Sequence, residues 1–189
     1  MSERDRNVPG GKRLRRAFAW RLSGAAVALG MAAWLGAATA AAQQNLPRPT
    51  GLVLLIVSGE ITNTNAPGRA EFDREMLESL GTQAIVTSSP WTDGKQRYEG
   101  VLARDVMLAV GARGQSVVAR GLDDYTVAIP MTDFRRYPVI LALKRDNAAM
   151  AVRAHGPVLI VYPRDSFAEL KSPDITRKSV GMLVELIVQ

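Results

Sequence analysis

The feature that most limits what this chain can fold into is its N-terminus. Lys12 to Arg21 is basic, Leu22 to Gly36 is apolar and rich in Ala and Leu, and Ala40-Ala41-Ala42 places small residues before Gln43. A secretory signal peptide needs those three parts in that order, so residues 1–42 are expected to be a signal peptide removed on export. Of the 189 residues, the 147 after position 42 are then left to build the fold. The apolar run is about fifteen residues, about twenty with the Ala-rich tail, which is at the short limit for a bilayer span. Cleavage is therefore preferred over retention as an anchor, with no membrane span after it. Arg15-Arg16-Ala17-Phe18 matches part of a twin-arginine signal, from which Leu14 and Ala19-Trp20 depart, and general secretion is preferred. The expected location is the periplasm or the medium.

Charge has meaning only after that division. Seven of the 24 basic residues and two of the 18 acidic ones lie in residues 1–42, which leaves 17 against 16 in the remainder. A nucleic-acid binder would keep its basic footprint in the folded part, where phosphates are neutralised, so no nucleic-acid partner is expected. The chain has no cysteine, which removes thiolate nucleophiles, Cys-containing zinc sites and iron–sulfur ligation together. With His155 as the single histidine, no multi-histidine metal site is expected either.

Residues 43–50, with Pro47 and Pro49, read as an extended tether, and 51–189 as one domain. Leu52 to Val57 is an apolar run that suggests a buried strand. Asp73 can cap a helix that turns Met76, Leu77 and Leu80 inward and stops at Gly81; a second helix follows from Leu102, Val106 and Val110, closed by Gly111. Ala84–Thr87, Ser116–Ala119, Tyr125–Ile129, Val139–Leu143, Met150–Val152, Val158–Tyr162 and Met182–Val188 read as strands. Lys144-Arg145-Asp146-Asn147 reads as a hairpin turn. Many strands and few helices without regular alternation predict an α+β fold.

No self-sufficient catalytic motif is present: there is no Gly-x-Gly-x-x-Gly, phosphate loop or Gly-x-Ser-x-Gly elbow. A triad of Ser88 or Ser89 with His155 and an Asp lacks any supporting spacing. The candidate site residues come from three polar, glycine-bearing segments at strand ends. The first contributes Thr87, Ser88, Trp91 and Asp93, the second Asp124 and Tyr125, the third Arg153, His155 and Gly156. Hydroxyls, a guanidinium and close backbone approach at a glycine suit an anion or the edge of a cofactor. Arg135-Arg136 and Arg177-Lys178 are expected to be solvated surface charges.

Taken in order, Val57 to Ile61, Thr87 to Trp91 with Asp93-Gly94, and Tyr98 to Leu102 leading into Asp105-Val106 resemble the oxidoreductase molybdopterin-binding domain of the sulfite-oxidase type. The likeness continues through Asp124-Tyr125, Ile129-Pro130, Ile140 to Ala142, Asp146 to Met150, Gly156-Pro157 and Tyr162-Pro163, and is closest to the small exported stand-alone members. It implies a sulfite-oxidase-type α+β fold, with mixed strands and few short helices, and a molybdopterin cleft lined by the candidate residues. Two departures matter. Where larger relatives carry a molybdenum-ligating cysteine after the strand matching Ala84–Thr87, this chain has Thr87-Ser88-Ser89. Where small relatives carry an aromatic wall, it has Arg177 to Leu183.

Two functions compete. One is a ligand-binding or sensing module of the cell envelope, without cysteine-ligated molybdenum chemistry, taking a small anionic ligand or a pterin and meeting an envelope protein partner. The other is a molybdenum-cofactor-dependent oxidoreductase with a non-cysteine metal ligand. The first is preferred because no cysteine is present and the chain has no room for an accessory domain. A purely structural partner-binding domain is the third class.

Overall fold

Val139–Leu143 is an unbroken apolar run, and in the computed structural model, which describes residues 46–189, it leads into the strand around which the core divides. That strand is β7 in chain order (Ile140–Arg145). Leu141 and Leu143 enter one apolar cluster while Ile140 and Ala142 enter a second, so β7 is buried on both faces. A strand buried on both faces needs continuous rather than alternating apolar residues. The expected signal peptide and the first part of the expected tether lie outside the described residues; residues 46–49 have no helix or strand.

Two five-stranded sheets carry the architecture. In the first, β1 (Leu55–Gly59) is flanked by β2 (Arg69–Phe72) and by β10 (Leu183–Val188), followed by β5 (Ser116–Gly121) and β6 (Thr126–Pro130). Only the β1–β10 pairing is parallel in that sheet. In the second, β3 (Thr82–Ser89) is the edge, then β4 (Thr92–Leu102), then β7, which pairs on its far side with β8 (Ala148–Ala149) and β9 (Leu159–Val161). Four helices of six or seven residues fill the corners: α1 (Arg74–Ser79), α2 (Ala103–Ala109), α3 (Met131–Arg136) and α4 (Pro173–Lys178). This is the expected α+β arrangement of mixed strands and few short helices in one domain.

The two expected helices form, α1 with Asp73 as its N-cap and Leu77 buried, and α2 with Val106 buried. The expected hairpin also forms, with Asp146 and Asn147 at φ 49° and 64° joining β7 to β8. Asn and Asp tolerate that left-handed backbone, which a tight two-residue hairpin demands. The same turn corrects the strand expected at Met150–Val152. It sets Arg145 opposite Ala148 and Lys144 opposite Ala149, after which only the Met150 N–H still reaches β7, donating to the Leu143 carbonyl at 3.4 Å. Val152–Ala154 instead forms a single 3-10 turn. β4 is the second difference: Thr92 to Gly94, in a segment expected to follow a strand end, already belongs to an eleven-residue strand paired with β3. Lys95, Gln96 and Arg97 give it no apolar alternation, and pairing with β3 supplies the order.

Candidate functional site

Three of the strand-end segments named from sequence converge on one cleft of about 340 Å³. Trp91 comes from the β3–β4 turn, Tyr125 from the β5–β6 loop and His155 from the end of the 3-10 turn. The fourth wall is the stretch from α4 into β10, with Thr176, Arg177, Ser179, Val180, Gly181 and Met182. Asp123 completes the lining.

Local backbone chemistry places these side chains. His155 has φ 66°, its N–H donates to the Val152 carbonyl at 3.0 Å, and its own carbonyl accepts from the Met182 N–H at 2.7 Å. The imidazole is thereby held against the β10 entry. A Cβ on Gly181 would lie 2.8 Å from the His155 Cβ, so glycine there is what lets the two segments touch. The Trp91 and His155 rings lie 4.5 Å apart at 32°, a tilted stack along one side of the cleft. Across from them, the Tyr125 hydroxyl donates to the Arg177 carbonyl at 3.1 Å, and the Leu122 N–H donates to the Met182 carbonyl at 2.9 Å.

α4 is itself anchored from behind, and here one expectation is corrected. Arg177 is exposed as expected, with its guanidinium 3.1 Å from Asp174, but the Lys178 side chain is only 12% exposed. Its ammonium reaches Asp133 at 3.2 Å and Asp174 at 2.7 Å, and Asp133 also accepts from the Tyr162 hydroxyl at 3.0 Å. Burial works to lower the Lys178 pKa, but the two carboxylates outweigh it and hold the ammonium above its ordinary value. Burial first, and the Asp133 charge second, push the Tyr162 phenol far up, so it stays a neutral donor. Lys178 stands four residues after Asp174 in a helix begun by Ser172-Pro173, a spacing that is visible in sequence once the helix is known.

The last residues of β3 are committed to structure. Thr87 is buried, and its hydroxyl oxygen accepts from the Asp165 N–H at 3.2 Å. Ser88 donates twice to the Asp165 carboxylate, from its N–H at 2.7 Å and from its hydroxyl at 3.1 Å. The Ser88 backbone bond is the main cause that lowers the Asp165 pKa and keeps it an anion. The Ser89 hydroxyl oxygen accepts from the Trp91 N–H at 3.0 Å. The crevice between these serines and Tyr162, Arg164 and Ser179 is too narrow to admit a water molecule, and the buried Arg164 Nε has no partner there.

The remaining named residues lie apart from the cleft lining. Asp93 is exposed in the first turn of β4, and Asp124, at φ 62°, is exposed beside Arg120 at 3.9 Å. Arg153 is exposed on the 3-10 turn, while Gly156 is buried where a Cβ would meet the Met150 Cβ at 2.7 Å. Among the described residues, no group of three or more His, Cys, Asp or Glu side chains could hold a metal ion. At the end of β3 the Ser88 hydroxyl is given to Asp165, while the Ser89 hydroxyl oxygen accepts only the Trp91 N–H, so neither carries the thiolate that a molybdenum ion favours.

Comparison with known proteins bears on the family and the fold. The sequence model of the family described as the oxidoreductase molybdopterin binding domain matches residues 68–169. Those residues include the Trp91, Tyr125 and His155 walls and stop before the Thr176 to Met182 wall. The fold is similar to the sulfane dehydrogenase SoxCD from Paracoccus pantotrophus, with a TM-score of 0.54 and 17% identity over 76% of this chain and 39% of that one. The chain thus spans about two fifths of the length of that protein. No curated protein sequence matches significantly.

Proposed function

The chain belongs to the oxidoreductase molybdopterin binding domain family, and from that premise we propose that it is an exported ligand-binding or sensing module of the cell envelope. Its ligand is a planar, anionic heteroaromatic molecule of the pterin class, held in the Trp91–Tyr125–His155 cleft without a metal bond to the protein. The observation that carries this reading is the cleft itself, built from separate segments around a Trp91–His155 ring pair. A volume of about 340 Å³ is at the small end of ligand sites, which run from roughly 300 to 1,000 Å³, and suits one fused ring system with a short tail. The Asp123 carboxylate can accept from ring N–H and amino groups, and the Arg177 guanidinium can meet an anionic tail. Ligand occupancy would be passed to an envelope protein partner through the exposed rim.

The other reading, a molybdenum-dependent oxidoreductase with a non-cysteine ligand, draws on the family alone. It requires Ser88 to give up its hydroxyl bond to Asp165, or Ser89 to lose its hydroxyl proton while its oxygen still accepts from the Trp91 N–H.

Trp91 is the only tryptophan after residue 34, so replacing Trp20 and Trp34 with phenylalanine makes its fluorescence a direct report of the cleft. Titration with 6-carboxypterin should quench that signal, and calorimetry on W91A should show affinity reduced roughly ten- to a hundredfold, the range for loss of one stacking aromatic. Absence of binding to the unsubstituted protein, or equal affinity in W91A, would sink the proposal. So would stoichiometric molybdenum in protein purified from its own host with cofactor maturation intact.

A further inference from the structure

Among the described residues the two sheets have four free edges, and three are blunted. β2 is four residues long and carries Arg69 and Glu71; β6 is five residues ending in Pro130; β8 and β9, beyond β7, have two and three residues. Short strands, charges and prolines are the usual means by which a fold keeps its edges from pairing with other chains. β3 has none of them. Its eight residues, Thr82–Ser89, contain no charge and no proline, and Val86 is 60% exposed.

The open part of that edge has defined ends. The Ser88 N–H turns away from β4 to the Asp165 carboxylate at 2.7 Å, so the outward-facing backbone groups belong to the even-numbered residues. Asp165 covers the position of Ser88, and the chain bends into α1 before Gly81. What remains is a window from Thr82 to Val86, centred on Ala84. Beside it on β4, Arg97 and Glu99 are paired to each other and bring no net charge to the window.

We infer that two copies of this chain associate by antiparallel pairing of their β3 strands about a two-fold axis at Ala84. In that register Ala84 faces Ala84 of the second copy and Thr82 faces its Val86, giving about six backbone hydrogen bonds. The window is neutral, so no like charges meet across the axis, and the Thr82–Val86 contact is a β-branched cross-strand pair. The same segment of a second copy is short and uncharged, and antiparallel pairing about Ala84 brings identical patches together, as an isologous contact requires. A single strand pair buries little area, so the dimer is concentration-dependent.

The absence of native cysteine makes the register directly testable. A directly opposed hydrogen-bonded pair has its Cα atoms about 5.5 Å apart, within disulfide range. Under oxidation the full chain carrying A84C should therefore cross-link to itself, T82C and V86C alone should not, and an equal mixture of T82C and V86C should. Sedimentation equilibrium should show the unsubstituted protein passing from monomer to dimer with concentration, and V86K remaining monomeric. Position 86 is exposed, so V86K should keep the thermal midpoint of the parent monomer. A parent that is monomeric at every concentration, a V86K dimer, or A84C cross-linking no better than T82C would each overturn the pairing.

Discussion

Gly100→Ala is expected to destabilise the protein by more than about 3 kcal/mol, and to lower its thermal midpoint by about 10 °C or more. A Cβ at that position would fall on the Leu141 carbonyl oxygen and lie 2.6 Å from the Ala142 Cα. Both obstacles are backbone of β7, so no side-chain rotation relieves them. Gly100 stands at the register shift where Glu99 faces Lys144 and Gly100 faces Ala142. Alternation along β4 sends Val101 into one apolar cluster and Tyr98 and Leu102 into the other. Separating the strands would loosen packing on both faces of β7. Gly51→Ala is the control: its Cβ would meet Asp73 at 3.6 Å, an ordinary contact, and its midpoint should stay within a few degrees of the parent. Equal midpoints for the two variants would contradict the close β4–β7 approach.

What could be read from the sequence alone follows the range over which each feature is determined. β7 was legible because burial on both faces leaves five apolar residues in a row. The α1 cap and the Asp146-Asn147 turn were legible because a residue and its near neighbours decide each. The Tyr125–Ile129 alternation ends as expected with Ile129 buried, although Tyr125 is 42% exposed because its ring spans the cleft to α4. The first half of β4 was not legible, since Lys95 to Arg97 take strand form from their partners. α4 is only six residues long, and Lys178 acquires its buried role from Asp133, 45 residues earlier.

The site divides in the same way. Trp91, Tyr125 and His155 were named because each stands at a strand end beside turn residues, and the structure brings the three to one cleft. Gly181 and Thr176 carry no such local sign, and their place in the wall depends on how α4 returns to β10. Ser88 was named for its hydroxyl, but the residue that determines what the hydroxyl does is Asp165, 77 positions away. The absence of cysteine was readable in a glance at composition; the commitment of the Ser88 hydroxyl to Asp165 was not.

Asp73→Ala is the second large effect expected, a loss of about 3 to 4 kcal/mol at neutral pH. The side chain is 3% exposed and accepts three backbone N–H groups, from Met76 at 2.9 Å, Thr50 at 2.8 Å and Gly51 at 2.9 Å. Alanine would lose the α1 cap and would also free the chain entering β1, leaving three donors without a partner. Asn should recover only part of the loss, because its single carbonyl oxygen cannot serve both Met76 and the Thr50–Gly51 pair. The bond from Met76, followed by that from Gly51, lowers the Asp73 pKa against the opposing effect of burial. A folded-state pKa below the unfolded value means the contribution is fully present above the unfolded value of about 3.9 and is lost as pH falls through the folded one. Asp165 is lowered in the same sense by Ser88, so the loop after β3 should lose its anchor in the same acid range. Urea unfolding of the parent and D73A should therefore differ most at pH 7, begin to converge only below about pH 3.9, and meet as pH falls through the lowered Asp73 pKa, where the parent's carboxylate is itself protonated. A gap between the two that stays constant down to pH 2 would mean that the Asp73 carboxylate is not what holds Thr50, Gly51 and Met76 together.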